Sequence, residues 1–195
     1  MLRISMEDRM KTKAMTLIGL VTALLCIAGP IAVTIPLSPV PISLATLAIC
    51  FAVYVLGMKN GTISCLLYLL MGMIGLPIFS GFSGGIGKLL GPTGGYLIGY
   101  IALAAISGFF IEKWQTNRFM HGIGMVLGTV ICYMLGSIWL MQQAKVTFYT
   151  SITMGVLPFL PGDVLKLIVA VTLGPVLRKH LLKAGLVLFP KNMNK

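Results

Sequence analysis

Two residues in an otherwise apolar run have the chemistry of a recognition site. Near the C-terminus, "PFLPGDVLKLIVAVTLGP" carries Asp163 and, three residues on, Lys166. On a helix that spacing puts both side chains on one face. A carboxylate only accepts hydrogen bonds and an ammonium only donates them, so the pair suits a neutral polar head group with both kinds of partner, such as a urea. Asp163 follows Pro161-Gly162, so it also suits the positive end of a helix dipole. A self-neutralising ion pair without function is the plainer alternative. Against both, an ionisable group within a membrane costs about 2.5–3.5 kcal/mol on insertion scales and commonly faces a cavity or pathway. Asp163 is one of four acidic residues; Glu7 and Asp8 lie near the N-terminus and Glu112 at the end of another apolar run.

The second chemical candidate is "GFSGGIGKLLGPTGGYLIGY", residues 81–100, in which eight of twenty residues are glycine and one is Lys88. A phosphate loop would need G-x-x-x-x-G-K-[ST]. Here Phe82 stands at the first glycine and Leu89 at the Ser/Thr, and Leu90 takes the third glycine of a dinucleotide fingerprint. Nucleotide hydrolysis is excluded on those grounds. Glycines let backbone approach a partner closely. Pro92 and Thr93 suit a helix start, Thr93 as a side-chain cap. The stretch therefore reads either as a tight turn with close helix packing or as a turn that presents free backbone N–H groups to a cavity.

These residues need a membrane scaffold. Of 195 residues, 57% are hydrophobic and 10% charged, with a mean hydropathy of +0.99, far from the roughly one-quarter charged residues of soluble domains. The apolar runs predict six spans at about 14–29, 43–57, 61–76, 94–112, 119–141 and 161–178, an all-α bundle of six transmembrane helices. One membrane domain over 1–195 is expected, with an N-terminal tail at 1–13, the helical domain at 14–180 and a basic tail at 181–195. Ala14–Gly29 reads as a retained first helix, because no small-x-small cleavage site follows cleanly and Leu25 before Cys26 spoils a lipoprotein signal. The fifteen residues from Asp163 to Arg178 correspond to about 22 Å of helix. With Arg178 taken to the cytoplasmic surface, the Asp163–Lys166 pair falls in the outer third of the bilayer.

The formal charge of +11 is a topology signal rather than a nucleic-acid surface. Twelve of the fifteen basic residues fall in the N-terminal tail, at Lys59, at Lys113 and Arg118, and from Arg178 onward, whereas the alternate connections hold Lys88 and Lys145. That is the positive-inside pattern, with both termini cytoplasmic in a multi-pass plasma-membrane protein. The first outer connection, "PIAVTIPLSPVPIS", has prolines at 30, 36, 39 and 41 and no charge. It cannot be helical, and its apolar character predicts that it folds over the bundle. Cys26, Cys50, Cys65 and Cys132 sit in apolar runs without ligand spacing, and His121 and His180 are isolated, so no metal site is expected. Gly19-x-x-x-Ala23 and Gly124-x-x-x-Gly128 are close-packing spacings.

Three blocks, "SPVPISLATLAICFAVYVLG", "YLLMGMIGLPIFSGFSGGIGKLLGPTGGYLIGY" and "PGDVLKLIVA", in this order on these spans, resemble the biotin-specific substrate-binding component (the BioY family) of energy-coupling factor transporters over about residues 14–180. The resemblance implies a non-enzymatic, six-helix S component that takes up biotin from outside as cargo, without a cofactor, in a cavity capped by the first and third connections. It further implies a transmembrane coupling (T) subunit and two ABC-type ATPases as partners. Carried over residue by residue, Asp163 and Lys166 meet the biotin ring system. Ser83, Gly84, Gly85, Gly94, Gly95 and Tyr96 line the pocket, and Lys88 is the cation available to the carboxylate. Gly19 and Ala23 face the coupling subunit. The chain departs from the family at Ala45, where many members carry glutamine. A different vitamin as ligand, an intramembrane enzyme using Asp163, and a pore-forming or structural oligomer are the competing expectations.

Overall fold

A computed structural model describes residues 6–33 and 40–186. The long helices are α1 (Met6–Ala28), α2 (Ala45–Met73), α4 (Gly94–Lys113), α5 (Arg118–Ala144) and α7 (Leu160–Lys183), each long and apolar enough to cross a membrane. Short helices α3 (Ile86–Leu90) and α6 (Phe148–Gly155) lie in the connections, where the sequence predicts only loop. Both α1 and α7 run past the bounds expected for the helical domain.

The α2 helix is two passes rather than one. Gly57 takes φ 78° and ψ −173°, a region open essentially to glycine alone. The chain doubles back there: a Cβ placed on Gly61 would be 3.3 Å from Val53 Cα, whereas eight residues along a straight helix span about 12 Å. Arms 45–56 and 58–73 thus form a helical hairpin, giving the six passes read from the sequence. Its turn is held where Glu112 Oε1 accepts from the Met58 amide at 2.7 Å.

The six passes divide the molecule into two ends. One, the basic end, collects the Gly57 turn, the α4–α5 connection with Lys113 and Arg118, and both termini of the bundle; Lys13 Nζ donates to the Gly185 carbonyl. Arg178, expected at a surface, is instead 5% exposed: α7 continues five residues past it to Lys183, which keeps it inside the bundle.

The other end holds the three long connections. In the first, β1 (Ala32–Val33) pairs antiparallel with β2 (Ile42–Ser43); Pro36 and Pro39 lie outside the described residues. Ser43 ties this hairpin to the helices, its hydroxyl donating to the Gly29 carbonyl at 2.8 Å and accepting from the Ala45 amide at 3.0 Å.

Small residues set the helix spacing. Cβ atoms on Gly124 and Gly128 would meet Phe110 Cβ at 2.3 Å and Leu103 Cα at 3.1 Å, so the Gly124-x-x-x-Gly128 face lets α5 press on α4. The buried cluster joins Leu25, both arms of α2, Leu103, Met125 and Ala170. By contrast α1 turns an apolar strip outward, with Met15, Leu20 and Ile27 exposed and Gly19 meeting nothing within 4 Å.

Candidate functional site

The start of α7 brings the acid–base pair to the end of the bundle that carries the long connections. Pro161 stands in its first turn and Asp163 follows in that turn. Lys166 Nζ lies 2.8 Å from Asp163 Oδ1, both side chains 12% exposed. The ammonium also donates to the Ser43 carbonyl at 2.6 Å and to Thr46 Oγ1 at 3.3 Å. Its three N–H groups are thereby all engaged. The other carboxylate oxygen, Oδ2, accepts from the Tyr133 hydroxyl of α5. The pair is therefore a hub joining α2, α5, α7 and the first connection.

This hub forms one wall of a crevice of about 370 Å³, part of it open to solvent. Val40, Pro41 and Ile42 of the first connection cover it, Tyr96 and Tyr100 of α4 face it, and Phe159 closes the side next to α7. The expectation that the proline-rich connection folds over the bundle holds for its described part. Below the pair, a second hollow of about 220 Å³ is bounded by Cys50, Leu103, Thr129 and Leu167 and shares Thr46, Asp163 and Lys166 with the first. The ion pair is the partition between them.

A hollow of about 510 Å³ at the basic end, lined by Gln115, His121 and Arg178 among others, is the weaker candidate for the same ligand. There both imidazole nitrogens of His121 are committed, Nε2 donating to the Trp114 carbonyl at 2.9 Å and Nδ1 facing the Tyr54 hydroxyl at 3.2 Å. Among the described residues no group of three His, Cys, Asp or Glu could hold a metal ion.

Of the residues singled out in the sequence, Asp163, Lys166 and Tyr96 meet at the crevice. Ser83, Gly84, Gly85, Lys88, Gly94 and Gly95 are not among the residues lining it, and the reason lies in their packing. Ser83 closes a tight turn, bridged to Phe79 and donating to the Ser80 carbonyl at 2.8 Å. A Cβ on Gly84 would fall 2.2 Å from the Leu76 carbonyl oxygen, and one on Gly95 2.3 Å from Trp139 Cβ. Gly94 is pressed as closely on the Leu89 carbonyl. Gly85, at φ 89°, precedes α3, which carries Lys88. Thr93 stands at the N-cap of α4 but makes no side-chain cap; its hydroxyl faces the Lys88 carbonyl at 3.5 Å instead.

The glycine-rich stretch thus reaches the crevice through Tyr96 and Tyr100. The Tyr96 hydroxyl donates to the Gly155 carbonyl at 2.9 Å, and its ring lies against Gly136. Ala45, noted above as a departure from the pattern the resemblance implies, is 1% exposed at the start of α2, and the next residue, Thr46, supplies the polar contact. Sequence reasoning missed Ser43, Thr46, Tyr100 and Tyr133. Tyr100 was legible, one turn from Tyr96 on the same face. Tyr133 was not, because its partner is thirty residues away.

Comparison with known proteins gives a consistent picture. The model of the BioY family matches residues 6–183. The chain is 37% identical over 162 residues to the probable biotin transporter BioY of Pyrococcus horikoshii, covering 83% of this chain and 94% of that one. It is 38% identical over 161 residues to the biotin transporter BioY of Thermotoga maritima, covering 83% and 93%, and 34% identical over 181 residues to that of Lactococcus lactis, covering 90% and 95%. The crystal structure of the S-component for biotin from an ECF-type ABC transporter superposes with a TM-score of 0.82 at 35% identity, over 90% of this chain and 95% of that one.

Proposed function

This chain belongs to the BioY family, and from that premise we propose how its crevice works as the substrate-binding component of an energy-coupling factor transporter for biotin. It is a multi-pass membrane protein and a binding component rather than an enzyme; biotin is its cargo. The observation that carries the assignment of the site is the Asp163–Lys166 pair at the wall of a crevice otherwise lined largely by aromatic and aliphatic side chains. The ureido carbonyl accepts from Lys166 and a ureido N–H donates to Asp163. Because the ammonium is fully engaged by protein acceptors, the carbonyl takes the place of one acceptor, most readily Thr46, the most distant. Tyr96 and Tyr100 enclose the apolar ring.

The glycines at 84, 85, 94 and 95, with Ser83, hold the wall that carries Tyr96, and Lys88 in the same connection is the cation for the carboxylate at the far end of the ligand. The connections face the outside and the basic end faces the cytoplasm, in keeping with the positive-inside rule. An impermeant thiol reagent applied to intact cells should label Lys145→Cys and spare Arg118→Cys; the reverse would invert the topology. Energy comes from partners, a transmembrane coupling subunit and two ABC-type ATPases. Gly19 and Ala23, on the outward strip of α1, are the contact for the coupling subunit. Gly19→Leu should weaken co-purification with that subunit and leave biotin affinity unchanged.

The deciding experiment is a calorimetric titration of the detergent-solubilised protein with biotin, beside Asp163→Asn and with riboflavin as the control vitamin. Saturable one-to-one binding of biotin, lost in Asp163→Asn and absent for riboflavin, is expected. A monodisperse protein that takes up no biotin refutes the assignment.

A further inference from the structure

The biotin crevice leaves the charge at the other end of α7 without a use. Arg178 is 5% exposed there, and a guanidinium keeps its charge in a protein, so its burial calls for compensating negative charge. Glu112 is the carboxylate that acts on it through space, and one Glu112 oxygen already accepts from the Met58 amide. Arg118 joins Arg178 in acting on His121. Lys179 stands with Arg178 in the wall of the hollow of about 510 Å³, part of it open to solvent. Among the described residues, Arg118, Arg178 and Lys179 thus share one carboxylate at this corner.

Two further features say what kind of anion suits it. Gln115, from the α4–α5 connection, lines the same hollow, and its Oε1 is buried with no hydrogen-bond partner among the described residues. The hollow therefore offers cations to an anion and an acceptor to a donor. It also lies at a membrane edge. Next to Gln115, the Trp114 ring has the Lys113 ammonium 4.6 Å from its centroid, and tryptophan with lysine is typical of the lipid–water boundary. Phe119 of α5 and Leu173 and Val176 of α7, on two helices that wall the hollow, expose apolar side chains.

We propose that this hollow is a headgroup site for an anionic glycerophospholipid, of which phosphatidylglycerol is the type. Arg178 and Lys179 take the phosphate oxygens, a headgroup hydroxyl donates to Gln115 Oε1, and the acyl chains run along the exposed apolar side chains of α5 and α7. The planar guanidinium matches phosphate geometry, and basic pockets between membrane helices are suited to such headgroups. Placing the lipid in the cytoplasmic leaflet rests on the topology read above; the site itself is independent of the biotin reading. The apolar flanks favour a lipid over free phosphate or an acidic segment of a partner subunit.

The test titrates the delipidated, detergent-solubilised full-length chain with phosphatidylglycerol, with phosphatidylcholine of the same chains, and with inorganic phosphate. Native mass spectrometry counts the bound ligand. Phosphatidylglycerol should saturate at one per chain and bind at least about 10-fold more tightly than phosphatidylcholine. Arg178→Gln should weaken it about 10-fold or more, and Lys179→Met, an exposed residue, about threefold. Lys59→Met, which removes an exposed charge at the same end but outside the hollow, should leave it within about twofold. Biotin titration of the same samples should be unchanged, which separates failure of this site from failure of the crevice. If Arg178→Gln is not monodisperse, Lys179→Met against Lys59→Met decides.

Equal affinity for the two lipids, equal losses in Lys179→Met and Lys59→Met, or uptake of many phosphatidylglycerol molecules without saturation would overturn the proposal, leaving a diffuse basic surface. Inorganic phosphate that displaces the lipid at equal concentration would overturn it in favour of a free anion. Unchanged lipid binding by Lys179→Met, with co-purification of the coupling subunit lost, would give the hollow to an acidic partner instead.

Discussion

Lys166→Met is the substitution whose consequences the geometry defines most fully. Methionine keeps most of the apolar stem and removes the ammonium. That ammonium satisfies the Ser43 carbonyl, Asp163 Oδ1 and Thr46 Oγ1 at 2.6, 2.8 and 3.3 Å. Without it, a carboxylate only 12% exposed keeps Tyr133 as its side-chain donor. Removing one partner of a buried pair costs about 3–5 kcal/mol; because this pair borders a crevice that water can enter, the low end, about 3 kcal/mol, is the appropriate figure. At about 2–4 °C per kcal/mol for a chain of this length, the melting temperature should fall by roughly 6–12 °C.

The double variant Asp163→Asn/Lys166→Met removes the stranded charge, and its amide oxygen can still accept from Tyr133. It should melt above Lys166→Met alone. Binding should behave differently: the charge-assisted bond to the ureido carbonyl is worth about 1.5–3 kcal/mol, or roughly 10- to 150-fold in Kd, and the double variant does not recover it. The two tryptophans, Trp114 and Trp139, report unfolding by intrinsic fluorescence, and calorimetry reports binding. If Lys166→Met melts within about 2 °C of the parent, or if the double variant loses the sum of the two single losses, the pair is not a mutually compensating buried ion pair and the reasoning fails.

Three further outcomes are expected. Gly136→Ala would place a Cβ 2.3 Å from the Tyr96 ring, which cannot retreat because its hydroxyl is tied to the Gly155 carbonyl; a loss of about 1–3 kcal/mol of stability should come with weaker biotin binding, and unchanged affinity would show that Tyr96 does not shape the crevice. Gly57→Ala forces a side chain into φ 78° at the hairpin turn and should cost about 1–3 kcal/mol while leaving the affinity of the folded fraction intact, as measured by melting and titration on the same sample. Lys88→Ala should weaken biotin more than its methyl ester; equal effects on both ligands would remove Lys88 from the carboxylate contact.

The passes, the family and the ion pair were written in the sequence, because each rests on local regularities. Apolar runs of membrane length, basic residues in alternate connections, and Asp163 with Lys166 one turn apart need no knowledge of what packs against them. Even the hairpin at Gly57 was legible, as a short interruption between the second and third runs. The tertiary structure decided the rest. Whether a glycine at 84, 94 or 95 faces a ligand or a neighbouring backbone depends on Leu76, Leu89 and Trp139, which no spacing rule connects to it. The same holds for Arg178, placed inside the bundle rather than at its surface by the further turns of α7. Tyr133 is the clearest case: an unremarkable residue in an apolar run, it gains its chemistry only when α5 packs beside α7 and its single proton meets Asp163. Period and composition carry the information that one helix holds alone; how many donors and acceptors the crevice presents is settled only when four elements converge on it.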